Sequence, residues 1–215
     1  MRRSFAVYII RLLVVLVTIT ILTACNPMPA YTGTPGRPRV AVVGDSITYY
    51  ATSDTNEALI DFRHTVRGIP KIGLTSGRTE LVDPAVATRP DILVIELGLN
   101  SAMDGWDGSD LPSLDAVLTA ADPVPCVVWV APDALTPSWY DHKGRGTLHD
   151  RQSAFVASLS KRLPAHPHQH LSNWGPIERT YPTYYLSDHL HITPSGRLAY
   201  AALVDASIKE FCPYG

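Results

Sequence analysis

The sequence predicts an α/β layered fold around one parallel sheet, and three observations predict it. Short β-branched runs recur at residues 40–43, 91–97 and 126–131. They are too short for helices and too continuous for strands with one wet face, so they read as strands buried on both sides. Stretches with helical spacing alternate with these runs, as in Leu111, Leu114, Val117, Leu118 and Ala121. The first two runs end at a glycine with a polar residue close behind, in Gly44-Asp45-Ser46 and Gly98-Leu99-Asn100. Open α/β sheets form their ligand crevices at that end of the strand.

Length and composition narrow the class. A chain of 215 residues with 46% apolar and 18% charged residues is globular and long enough to bury a core without metal or disulfide support. A formal charge of −2 gives no basic surface, so nucleic acid is not an expected partner.

Taken in order, the chain opens on Arg2 and Arg3, followed by a stretch that holds only apolar residues and threonine from Leu12 to Ala24 and ends in Leu22-Thr23-Ala24-Cys25. A charged start, a short apolar run and small residues at its end form a secretory signal. Arg11 leaves 13 positions, short of the about 20 that a spanning helix needs. The Leu-x-Ala-Cys ending resembles a bacterial lipoprotein lipobox, which implies cleavage after residue 24 and lipid on Cys25. The expected location is therefore extracytoplasmic, held at the membrane by that lipid. Removal of residues 1–24 takes away three arginines and no acid, leaving a charge of −5. Residues 25–38 carry Pro27, Pro29, Pro35, Pro38, Gly33 and Gly36 and read as an extended, unpacked tether, with the folded domain spanning 39–215.

The first strand, 40–43, delivers Ser46 to its carboxyl end, and a helix is expected within 49–60. A weak strand at 64–67 leads into a loop with Gly68, Pro70, Gly73 and Gly77, where a glycine lets backbone approach a ligand closely. A short helix over 79–87, the strand at 91–97, a helix at 111–121 and the strand at 126–131 follow. A loop at 132–146 holds Trp139 and Tyr140, and a helix is expected from 149 to 163. His166, His168 and His170 alternate, but no cysteine or placed carboxylate joins them, so they read as an edge strand over 168–174 with polar positions in solvent rather than as metal ligands. An aromatic loop then reaches Ser187-Asp188-His189-Leu190-His191, and proline at 194 starts the last helix, which runs to 211. Trp106, Trp139 and Tyr185 are candidates to rim a site, whereas Trp129 belongs to a core strand. With Cys25 lipidated, Cys126 and Cys212 remain as a pair in a compartment that permits disulfides. One opens a strand and the other closes the last helix, positions that share an edge of such a sheet, so a bridge is expected.

Acyl transfer by serine needs a base within reach of the hydroxyl, an acid to fix the tautomer of that base, and donors aimed at the developing oxyanion. Ser46, Asn100, Asp188 and His191 all fall at strand ends or helix starts on one rim. Together, Gly44-Asp45-Ser46-Ile47, Gly98-Leu99-Asn100 and Asp188-His189-Leu190-His191 resemble the conserved blocks of the SGNH (GDSL-type) hydrolases, in order and in context, from about residue 39 to the C-terminus. The resemblance implies a three-layer α/β/α, flavodoxin-like fold with a parallel sheet of about five strands. It implies Ser46 as nucleophile, His191 as general base and Asp188 as its orienting acid, with no metal and no cofactor. The oxyanion donors it implies are the Ser46 amide, a glycine amide and the Asn100 side chain. Gly73, in Gly73-Leu74-Thr75, best matches the second block, with Gly68 as the alternative. Ser101 stands where an aspartate is common, and His189 where a glycine is. The expected activity is hydrolysis of a short acyl ester, O-acetyl among them, on a cell-envelope glycan or glycolipid. The alternatives are acyl transfer to an envelope sugar by the same triad, and a non-catalytic binding lipoprotein.

Overall fold

The computed structural model describes residues 27–131, 146–174 and 181–213. The apolar runs become the central strands of a six-stranded sheet. In chain order the strands are β1 (Thr32–Gly33), β2 (Arg39–Gly44), β3 (Arg63–Gly68), β4 (Ile92–Glu96), β5 (Cys126–Ala131) and β6 (Gln169–Asn173). They lie side by side as β1-β3-β2-β4-β5-β6. Every neighbouring pair is parallel except β1 with β3. Val40, Ala41, Val42, Val43, Leu93, Val94 and Ile95 are inaccessible to solvent, as strands covered on both faces must be.

Between strands run α1 (Ser46–Tyr50), α2 (Thr52–Ala58), α3 (Leu74–Gly77), α4 (Asp83–Ala87), α5 (Leu99–Met103), α6 (Leu111–Ala121) and α7 (Leu148–Arg162), and α8 (Pro194–Phe211) follows β6. The chain steps one way from β2 to β3 and the other way from β3 past β2 to β4. Right-handed crossovers therefore put the intervening helices on opposite faces. Accordingly α2 packs against α8, while α3 and the π-turn Arg78–Val82 pack against α6. The predicted three-layer parallel architecture is the observed one, with β1 added at its margin.

Three expectations are corrected. The stretch read as an unpacked tether is packed from its first described residues: Thr32 and Gly33 pair with His64 and Arg63, Met28 is buried, and the Thr65 hydroxyl donates to Pro29 O at 3.0 Å. Proline and glycine forbid a long strand there, but they do not prevent a two-residue ladder whose side-chain anchors lie on β3. Two polar positions of β6, Gln169 and Ser172, face inward rather than to solvent, while Asn173 is exposed. Gln169 accepts from Trp129 Nε1 at 2.9 Å and donates to Leu118 O at 2.7 Å, and Ser172 accepts from Ser207 at 2.7 Å. Trp106 is buried edge-on against Phe155 with 5.2 Å between ring centroids, so it is core and not rim. Trp139 lies outside the described residues.

At the opposite end of the sheet Cys126 and Cys212 form a disulfide, with their Cα atoms 5.8 Å apart, tying the start of β5 to the end of α8. His166 binds Asp122 at 2.6 Å and His170 stacks on Phe211, so these two alternating histidines have separate partners. Among the described residues no cluster of histidine, cysteine and acids has the makings of a metal site.

Candidate active site

The carboxyl ends of β2 and β4 bring the first two groups together. After Gly44, Asp45 caps α1 by accepting from Ile47 N at 3.0 Å, which places Ser46 at the first position of that helix, nearly buried. Asn100 follows β4 in α5, and its Nδ2 donates to Asp45 Oδ2 at 2.9 Å. An amide nitrogen carries two protons, so this bond orients the group and leaves the second proton to donate elsewhere. Gly98, which turns the chain from β4 into α5, has φ +124°, and a Cβ there would lie 2.4 Å from Phe155. Only glycine permits that turn. Buried Arg151 donates to Ala102 O at 2.6 Å and so secures the end of α5.

The two candidate glycines differ in what surrounds them. A Cβ on Gly68 would stand 2.2 Å from Tyr49 N and 2.8 Å from Asp45 O, so Gly68 is spent on letting α1 lie against β3. Gly73 caps α3 in extended backbone, and the next amide, Leu74 N, donates to Ser101 Oγ at 3.0 Å. Ser101 thus links the Gly73 loop to the helix bearing Asn100 with a hydroxyl in place of a carboxylate. A cleft of about 370 Å³ opens there, lined by Gly73, Leu74, Thr75, Ser101, Lys71 and Asp104 among others.

The third group comes from a turn clamped at both sides. Tyr185 bridges Ile192 antiparallel, Leu186 N donates to His191 O at 2.7 Å, and Thr193 N donates to Tyr184 O at 2.8 Å. Within this turn Asp188 Oδ1 accepts from Leu190 N and His191 N at 3.0 and 2.9 Å, and Oδ2 receives His191 Nδ1 at 2.7 Å. A carboxylate on Nδ1 fixes the proton there and leaves Nε2 as the basic nitrogen. Partial burial pushes the Asp188 carboxyl up, but the bonds from His191 and Leu190 outweigh it and hold it below the usual range. His189, in contrast, is exposed with φ +53°, the left-handed conformation that glycine adopts most easily. The His191 ring stands edge-on to Tyr50 with 5.3 Å between centroids. Tyr50 is the last residue of the helix that Ser46 begins.

Sequence reasoning missed the layer beneath. Glu96, at the end of β4, is buried, and its Oε2 accepts from Asp45 N at 3.1 Å and from the Thr48 hydroxyl at 3.0 Å, while that hydroxyl also meets Tyr200 OH at 2.9 Å. Burial pushes Asp45 up to about 6, and burial with the adjacent Asp45 charge pushes Glu96 well above its ordinary value. Two buried carboxyls this close favour sharing a proton. Glu96 Oε1 has no hydrogen-bond partner, which suits a neutral acid better than an anion. The available signal was a lone glutamate ending an otherwise apolar run.

No protein-family model matches the chain, and no curated protein does. Solved structures do match. A lipase/acylhydrolase from Enterococcus faecalis aligns over 80% of this chain and 96% of its own at TM-score 0.66 and 18% identity. An acetylxylan esterase from Geobacillus stearothermophilus aligns over 85% and 96% at TM-score 0.61 and 14% identity. The C-terminal catalytic domain of Streptococcus pneumoniae peptidoglycan O-acetyltransferase A aligns over 81% and 94% at TM-score 0.61 and 14% identity. The chain therefore has the fold of the SGNH-type hydrolases.

Proposed function

We propose that the protein is an extracytoplasmic serine esterase that removes a short acyl group, acetyl among them, from an alcohol of the cell envelope, and that it is held at the membrane by lipid on Cys25. The observation that carries this reading is the 2.7 Å bond from His191 Nδ1 to Asp188, on a turn that sets the same imidazole against the helix begun by Ser46. In support, the acetylxylan esterase of like fold has catalytic mutants at a serine, an aspartate and a histidine, the last two separated by three positions as Asp188 and His191 are.

In this mechanism Ser46 Oγ attacks the acyl carbon as its proton passes to His191 Nε2. The carbonyl oxygen becomes an oxyanion, received by the Ser46 and Gly73 amides and the second Asn100 proton. Collapse expels the alcohol, which takes the proton from Nε2, and leaves the acyl group on Ser46. Water then attacks that ester with Nε2 as base, and the acid departs. Asp188 keeps the imidazole oriented and stabilises its cationic form without taking its proton. Acyl transfer to an envelope sugar is the same sequence with a sugar hydroxyl in place of water, and the likeness to the O-acetyltransferase domain favours it as the second reading.

A fluorophosphonate probe tests the nucleophile: it is expected to label the wild type and to leave Ser46→Ala unlabelled. Folded wild-type protein that takes no label, and hydrolyses none of a panel of 4-nitrophenyl esters of rising acyl length, would overturn the esterase reading. Products measured with and without added sugar separate hydrolysis from transfer.

A further inference from the structure

Resting on that reading, we propose that the catalytic rim lies against the membrane surface, so that its substrate is an acyl ester carried by a molecule embedded in or attached to that membrane. The first observation is where the N-terminal segment leads. Because β1 is antiparallel to β3, the chain before Thr32 runs along β3 toward its carboxyl end. Pro29 O receives the Thr65 hydroxyl at 3.0 Å, and Pro27 O receives Arg67 Nη1 at 3.3 Å, one residue before β3 ends. The chain thus emerges at the rim that holds Ser46, two strands from β2, or about 10 Å.

Residues 25 and 26 span at most about 7 Å, whereas a free tether over 25–38 would span about 50 Å. The apolar run of residues 12–24 and the Cys25 thiol both lie immediately upstream of Pro27. Hydrocarbon on either one therefore draws this rim, and no other face, to the bilayer.

The second observation is independent of the first. Among the described residues six large apolar side chains are strongly exposed, and five of them belong to rim segments: Tyr49 and Tyr50 on α1, Tyr181 and Leu186 on the loop before Asp188, and Leu198 near the start of α8. Only Ile60, before β3, is at the opposite end. Exposed apolar groups scattered singly need no explanation, but a set gathered on one face marks an interaction surface. Tyrosine, with an apolar ring and a wet hydroxyl, suits the headgroup boundary of a bilayer. With a charge of −5 after signal removal the attachment is apolar rather than electrostatic, and neutral lipid suffices.

The test uses the full lipidated chain in phosphatidylcholine vesicles. With Cys25 acylated and Cys126 bonded to Cys212, a cysteine at Tyr49 or at Ile60 takes an environment-sensitive fluorophore at that position alone. The label on Tyr49→Cys is expected to be quenched at least fivefold more strongly by headgroup-nitroxide lipid than the label on Ile60→Cys. In parallel, a phosphatidylethanolamine bearing an acetylated umbelliferone on its headgroup is the membrane-held ester, and soluble umbelliferyl acetate is the control. A 20-residue Gly/Ser insertion between Asn26 and Pro27 widens the separation to about 25 Å. Combined with Tyr49→Ser, Tyr181→Ser and Leu186→Ser, it is expected to slow the membrane-held ester at least tenfold and to leave the soluble one within twofold. Equal quenching at both labels, quenching at neither, or undiminished hydrolysis of the membrane-held ester by the altered chain overturns the inference. A wild type inactive on both esters would instead sink the esterase reading, while the two labels still report which face meets lipid.

Discussion

The two ends of the sheet are built on opposite principles. At the amino end the larger cleft, about 930 Å³, lies over the Cys126–Cys212 bridge and is lined by Arg37, Asp91, His168, His170 and Phe211 among others. Two of its groups are already engaged: Asp91 accepts from Arg39 N at 2.7 Å, and His170 stacks on Phe211. At the carboxyl end the cleft beside Gly73 and Ser101 is smaller, and outside its lining the polar groups at that end keep valence to spare. They include an imidazole with one nitrogen committed, an amide with one proton committed and a serine at the start of a helix. Volume alone points to the amino end, whereas the bonding of His191 and Asn100 points to the carboxyl end.

Substitutions sharpen this contrast, since those at the carboxyl end should alter rate and those at the amino end stability. The largest effect is expected at the base. His191→Ala should lower kcat on a 4-nitrophenyl ester by about 10⁴-fold or more, while His189→Ala, at an exposed position, changes it little; the reverse result would exchange their roles. Asn100→Ala should cost about 10²- to 10³-fold in kcat with little change in KM, the mark of a donor acting on the transition state. At the other end Cys212→Ser should remove about 2–5 kcal/mol of stability in urea titration and leave kcat unchanged.

The smallest effect is one of pH. Asp45, pushed up to about 6, and Glu96, raised further above its ordinary value, bind protons more tightly folded than unfolded. Their contribution to stability is complete below about pH 4, where the unfolded carboxyls are protonated too, and is lost as pH rises through the folded values. The Tm of Glu96→Gln should therefore fall less between pH 4 and 7 than that of the wild type.

Much of the fold was legible because its signals are local. The runs at 40–43 and 126–131 are β-branched and continuous, and Asp188 and His191 are near enough in sequence to pair within one turn. What escaped was set by distant partners. Nothing in Thr32-Gly33 announces a strand until the free side of β3 is present to receive it. Gln169 and Ser172 look like solvent positions until Trp129 and Ser207 supply their bonds. The helix expected within 49–60 is present as α2, whereas α1, beginning already at Ser46, was not expected, and the five-residue α5 lacks a side-chain cap to mark its start. Glu96 was hidden for the same reason, since its neighbours Asp45, Thr48 and Tyr200 come from β2's end, α1 and α8.

The short antiparallel ladder at Thr32–Gly33 also guards the protein against itself. An open strand margin is a template on which another copy can add, and β1 pairs with the first two residues of the one that β3 would otherwise offer. A recombinant chain begun at Arg39 keeps every group assigned to catalysis but leaves that margin bare. It should form concentration-dependent aggregates that the longer chain does not form.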